Sequence, residues 1–197
     1  MPVTINGNGS ITGLSVGGLG SGVVNNATLA NGAASGNKLG TGAVIQVQKT
    51  LVTAFETITC DTSGTGSHDS SLAVSITPTS ASNIIFVNAF AFGEGSAFKV
   101  MRSVNGGSYA ETVALGDAVG SANRGAVGGL YDDNVQYNTD CRSIQFVDTP
   151  NTTSPVDYKI YVYVFDGSKP VYINRPHTTT ALEHICLLYT SPSPRDS

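Results

Sequence analysis

Asn83-Ile84-Ile85-Phe86-Val87-Asn88-Ala89-Phe90-Ala91-Phe92 is the longest apolar run in the chain with a two-residue period. Side chains of an extended strand alternate between faces, so Ile84, Phe86, Phe90 and Phe92 share one side and Ile85, Val87, Ala89 and Ala91 the other. Both sides are apolar, which predicts a strand in the centre of a sheet. Around it lie shorter β-type runs bounded by Gly, Ser, Asp and Pro: Val44–Gln48, Ser71–Ile76 and Ser143–Val147. Phe98–Val104 and Ser108–Leu115 flank Asn105-Gly106-Gly107. Asn-Gly is the dipeptide that tolerates positive φ at both central turn positions, so this stretch predicts a β-hairpin. Helical periodicity is hard to find anywhere in the chain, and the expected fold is mostly β.

Asp157–Asp166 is the second long run. It places Tyr158, Ile160, Val162 and Val164 on one face and Lys159, Tyr161, Tyr163 and Phe165 on the other. A sandwich strand needs only one apolar face. The aromatic second face fits either a covering loop of the same chain or contact between copies of the chain.

The N-terminal stretch has a different composition. Residues 1–54 contain no aromatic and no acidic residue, two basic residues (Lys38 and Lys49) and 11 of the 23 glycines. Leu19, Leu29 and Leu39 recur every ten residues, in step with Gly22-Val23, Gly32-Ala33 and Gly42-Ala43. One apolar anchor per unit is too little for a core within one chain, but it suits identical chains packed along a shaft. A collagen helix is excluded, because glycines at 7, 9, 13, 17, 18, 20 and 22 have no period of three. A flexible Gly/Ser linker would share the composition, though not the repeat. The expected organisation is a repetitive shaft over 1–42, a β-sandwich head over 43–185 and a foreign tail over 186–197. Cys186–Asp196 resembles one translated reading frame of a transposase adapter used in sequencing libraries, so the natural C-terminus is expected to be missing, cut at or near Ile185.

Charge and chemistry exclude several classes. The net charge of −4 has no basic cluster, which counts against nucleic-acid binding. No window approaches the ~20 apolar residues of a membrane helix, and no signal peptide is recognisable, so synthesis in a cytoplasm is expected. Cys60 and Cys141 lack metal-ligand spacing and are expected to be buried free thiols, although a disulfide between them is open. His68, His177 and His184 lie in no metal or nucleophile motif. The acids of Tyr131–Asp140, including Asp132, Asp133 and Asp140, have no spacing that fixes glycosidase geometry and suit a solvated loop. Ala118–Gly129 is glycine-rich without Gly-Lys-Ser/Thr, which leaves a surface loop with Arg124 available to a receptor sugar or phosphate. No catalytic residue, cofactor or metal is expected.

Residues 1–185 resemble short tail-fibre proteins of tailed phages. The resemblance is carried by Thr4–Leu14, Ala27–Ala33, Asn37–Leu39, Val74–Ser80, Leu115–Arg124, Phe146–Ser154, Tyr158-Lys159 and Val171–Arg175. It implies a homotrimeric virion tail fibre with an N-terminal shaft and an antiparallel jelly-roll head of the tumour-necrosis-factor and complement type. The N-terminus would join other tail or baseplate proteins, and the head would bind a host-surface glycan or protein without chemistry or membrane insertion. Leu19, Leu29, Leu39, Tyr161, Tyr163 and Phe165 are then the candidate contacts between copies. Arg124, Asp132 and Asp133 are the candidate receptor-facing loop residues. A secreted or cell-surface adhesin is the second class, and a polysaccharide-degrading tail spike a remote third.

Overall fold

The computed structural model describes residues 4–5, 11–12, 42–60, 68–94, 97–117, 120, 124–128, 139–163 and 170–175. The chain divides into two compact units, 1–47 and 48–197. In the first, β1 (Thr4–Ile5) pairs antiparallel with β2 (Ile11–Thr12), setting Thr4 opposite Thr12 and Ile5 opposite Ile11. Leu19, Leu29 and Leu39 lie outside the described residues.

The second unit holds β3 (Glu56–Thr59), β4 (His68–Ile76), β5 (Ile85–Glu94), β6 (Ala97–Val104), β7 (Ala110–Glu111), β8 (Thr139–Asp148), β9 (Val156–Tyr163) and β10 (Pro170–Ile173). They form two four-stranded antiparallel sheets, ordered β3-β10-β5-β8 and β4-β9-β6-β7. Among the described residues there is no helix. The inner faces meet in one core. Ile85, Val87, Ala91, Ile144, Val171 and Ile173 come from the first sheet, and Phe98, Val100, Val156, Tyr158, Ile160 and Val162 from the second. Alternation explains the assignment: Tyr158, Ile160 and Val162 point inward together, which leaves Lys159 and Tyr161 on the outside.

β5 is an inner strand, as its two apolar faces predict, flanked by β8 along its length and by β10 at its C-terminal end. Gly93 makes the second junction possible. A Cβ there would collide with the carbonyl oxygen of Tyr172, so only glycine lets the β10 backbone approach this closely. β4 is irregular between Asp69 and Ala73, where its register against β9 shifts. Buried Ser70 in this bulge donates its hydroxyl to the Ile160 carbonyl at 2.7 Å and accepts from the Leu72 N–H. The Asn105-Gly106 turn has φ of 53° and 71°, the left-handed pair the sequence predicts. The Asn105 N–H also donates to the Pro155 carbonyl at 2.8 Å, tying the hairpin to the start of β9.

Three sequence expectations are corrected. Val44–Gln48 is not a strand: its backbone has no ladder partner, and Val44 and Val47 are 77% and 75% exposed. Alternation prepares a strand, but only a neighbouring backbone completes one. The return strand of the hairpin is limited to Ala110–Glu111, because from Thr112 the chain leaves the ladder; the Thr112 hydroxyl reaches the Val100 carbonyl at 2.9 Å instead. Cys60 and Cys141 form no disulfide with each other, and only Cys60 is buried; Cys141 is exposed on the outer side of β8.

Candidate functional site

The sandwich-like unit has two outer faces of opposite character. On the β5–β8 pair, Phe86 stands opposite Val147, Asn88 opposite Gln145, Phe90 opposite Ser143 and Phe92 opposite Cys141. These residues and Ile84 include no charge. Ile84, Phe86, Phe90 and Val147 are 67%, 64%, 58% and 54% exposed. The Gln145 side-chain amide donates to Asn88 Oδ1 at 3.3 Å, which leaves a small amide pair between two apolar flanks. Isolated exposed apolar residues are ordinary on protein surfaces, whereas a contiguous group on two paired strands marks a surface that becomes covered.

The outer face of the other sheet is aromatic and charged. Cross-strand pairing sets Tyr161 between Asp69 of β4 and Lys99 of β6, and Lys159 between Ala73 and Met101. Tyr109, just before β7, lays its ring against Tyr161 with centroids 5.6 Å apart and planes at 49°. The Lys159 ammonium sits 5.2 Å from the Tyr109 ring centroid and 3.0 Å from Asp69 Oδ2. The hydrogen bond to Lys159 holds the Asp69 carboxyl below the usual range and raises the Lys159 ammonium in turn. Partial burial, then the Asp69 charge, pushes the Tyr161 phenol up. On the far side of the tyrosines Glu111 is shared: one oxygen takes Lys99 at 3.3 Å and the other takes the Arg124 guanidinium.

The strongest polar group lies inside. Arg102 Nη1 donates to both oxygens of Asp148 at 2.8 Å, and the Tyr158 hydroxyl donates to Asp148 Oδ2 at 2.6 Å. Arg102 and Tyr158 are cross-strand partners in one sheet, whereas Asp148 ends β8 in the other. Asp148 is 3% exposed and also accepts from the Thr149 N–H. Phe146 meets the Tyr158 ring edge-on at 6.4 Å. Asp148 accepts from both Arg102 and Tyr158 of the opposite sheet, which makes the group a brace between the sheets.

The chain matches no protein-family model, no curated protein and no solved structure.

Of the residues singled out in the sequence, the structure brings Arg124 to the charged face beside Glu111 and sets Tyr161 in the same face, half-buried against Tyr109. Tyr163 ends β9. Phe165, Asp132 and Asp133 lie outside the described residues, as do His177 and His184. Among the described residues no three His, Cys, Asp or Glu side chains converge on a point where a metal ion would sit. No described helix is long and apolar enough to cross a membrane. Sequence reasoning missed Tyr109, Lys99, Glu111 and Asp69, since each comes from a different segment and only strand pairing unites them. The two-sided alternation signals the exposed Phe86–Phe90 face, although by itself it predicts only centrality within a sheet. Centrality within a sheet leaves open whether both faces are covered.

Proposed function

We propose that this chain is a tail-fibre protein of a virion that attaches to a host surface by non-catalytic binding, working as a homotrimer. The observation that carries the reading is the uncharged apolar face made by Ile84, Phe86, Phe90 and Val147, which is well exposed on a single chain. Obligate interfaces between copies are apolar and poor in charge at their centres, and this face meets both conditions. The strand order supports the same assignment. Eight strands in two antiparallel sheets, each mixing early and late strands, suit a jelly roll of two Greek keys. The repetitive, nearly uncharged N-terminal stretch then serves as the shaft along which three chains pack through Leu19, Leu29 and Leu39. Its far end joins neighbouring tail or baseplate proteins, and the head carries the receptor contacts.

The test is the solution mass of the purified chain by light scattering at low concentration, joined to adsorption of the labelled protein to a panel of bacterial cells. A stable species of three times the 20.3 kDa chain mass that adsorbs to some of the cells supports the reading. A well-folded monomer that adsorbs to none overturns it.

A further inference from the structure

We propose that the outer face of the β4-β9-β6-β7 sheet is a binding site for an acidic saccharide, centred on Tyr161 and Tyr109 and flanked by Asp69 with Lys159 on one side and Glu111 with Lys99 and Arg124 on the other. This deepens the attachment reading and rests on it for biological meaning, but the binding itself is tested separately.

The chemistry of a pyranose sets two requirements. One face of the ring is a patch of C–H groups that packs on an aromatic side chain, while the rim of hydroxyls needs donors and acceptors close by. Tyr109 and Tyr161 supply two partly exposed rings, 5.6 Å apart and tilted at 49°, which together form a shallow aromatic trough. Phenols combine an apolar body with a polar tip and have few torsions to freeze, which suits them to shallow binding surfaces. On either side of the trough stand carboxylates and ammonium or guanidinium groups already held in pairs, at 3.0 Å for Lys159–Asp69 and 3.3 Å for Lys99–Glu111. Pairing fixes their positions, so a hydroxyl that accepts from the cation and donates to the carboxylate meets an ordered partner set.

Charge selects among saccharides. Two cations share Glu111, while Lys159 and Asp69 balance each other, so these five side chains carry one surplus positive charge. Asp157, on the same face of β9, offsets that surplus over the face as a whole, so the positive excess is confined to the end where Lys99 and Arg124 share Glu111, and that end is the suitable place for a uronate, sulfate or phosphate substituent. Arg124, with 39% of its side chain exposed, is the group placed to receive it. A second copy of the chain is a poor occupant, because charged side chains are depleted from the centres of such interfaces. The uncharged β5–β8 face is the surface suited to that contact.

The chain has no tryptophan, so its emission comes from eight tyrosines, and the Tyr109 and Tyr161 variants identify the trough's share of any change. The full chain is titrated with alginate oligosaccharides as the acidic probe and with dextran oligosaccharides of equal length as the neutral one. Alginate is expected to change the emission saturably, with dextran at least tenfold weaker. Tyr161→Ala and Tyr109→Ala should each weaken alginate binding tenfold or more, while Tyr161→Phe retains most of it. Arg124→Gln should narrow the preference for alginate over dextran. Tyr109 lies outside the sheet ladder, so its variant keeps the test valid if Tyr161→Ala does not fold. Absence of saturable alginate binding by the folded wild type, or equal binding by the Tyr109→Ala variant, overturns the proposal. Equal affinity for dextran overturns its acidic part. Cell adsorption by the same variants separates the two readings. Adsorption that survives loss of the tyrosines overturns this site's part in attachment and leaves the attachment reading standing. Alginate binding without adsorption to any cell does the reverse.

Discussion

The Tyr158 hydroxyl donates a 2.6 Å hydrogen bond to Asp148, ten residues earlier in the chain but in the opposite sheet. With Arg102 it forms the described ionic contact that crosses the core, so it holds the sheets at a fixed separation and register. Replacing Asp148 by Ala leaves the Arg102 charge and the Tyr158 hydroxyl without their shared acceptor. The expected loss is about 3–5 kcal/mol, against about 1–2 kcal/mol for Tyr158→Phe, which removes one neutral donor. Urea unfolding followed by circular dichroism measures both. Equal losses for the two variants would show that the carboxylate is not the hub.

Burial, then the bond to Asp148 and its charge, raises the Tyr158 phenol far above the ordinary tyrosine range. A group whose folded value is raised stabilises the fold fully below its unfolded value, near pH ~10, and that contribution disappears as pH climbs toward the folded value. Stability should therefore fall above about pH 10. Tyr158→Phe should flatten that fall, because it has no proton to lose. Phenolate absorbance followed against pH should show one tyrosine of the wild type ionising only as the fold is lost.

Gly93→Ala forces a Cβ onto the Tyr172 carbonyl, where backbone must move because no flexible side chain is in the way. A cost of about 1–3 kcal/mol is expected, concentrated at the β5–β10 junction. Hydrogen exchange should show faster exchange at the Asn174 amide, which donates to the Phe92 carbonyl at 2.9 Å. An unchanged urea midpoint would refute the close approach.

Phe86→Asp and Phe90→Asp introduce a charge into the uncharged β5–β8 face at positions 64% and 58% exposed. Each single chain should keep its fold, since neither side chain belongs to the core. The proposed trimer should dissociate, with the light-scattering mass falling to that of one chain. An assembly that survives both substitutions would place the contact between copies elsewhere.

Local chemistry made several features readable in advance. Two-residue alternation placed Tyr158, Ile160 and Val162 on the inner side of β9, and Asn105-Gly106 marked its turn through the positive φ it tolerates. The same alternation failed at Val44–Gln48, where no partner strand completes the ladder.

The chain by itself determined the β character, the turn at Asn105, the two-sided apolar alternation of β5, the inward face of β9 and the repetitive N-terminal composition, because each follows from residues close together in sequence. Tertiary structure alone decided that Phe86 and Phe90 stay uncovered while Ile85 and Val87 are buried, since two apolar faces look alike until a second sheet covers one. It alone brought Arg102, Asp148 and Tyr158 together, and set Tyr109, Asp69, Lys99, Glu111 and Arg124 around Tyr161. Strand pairing joins segments up to 117 residues apart, as where Ile173 of β10 faces Glu56 of β3, and no local periodicity carries that information.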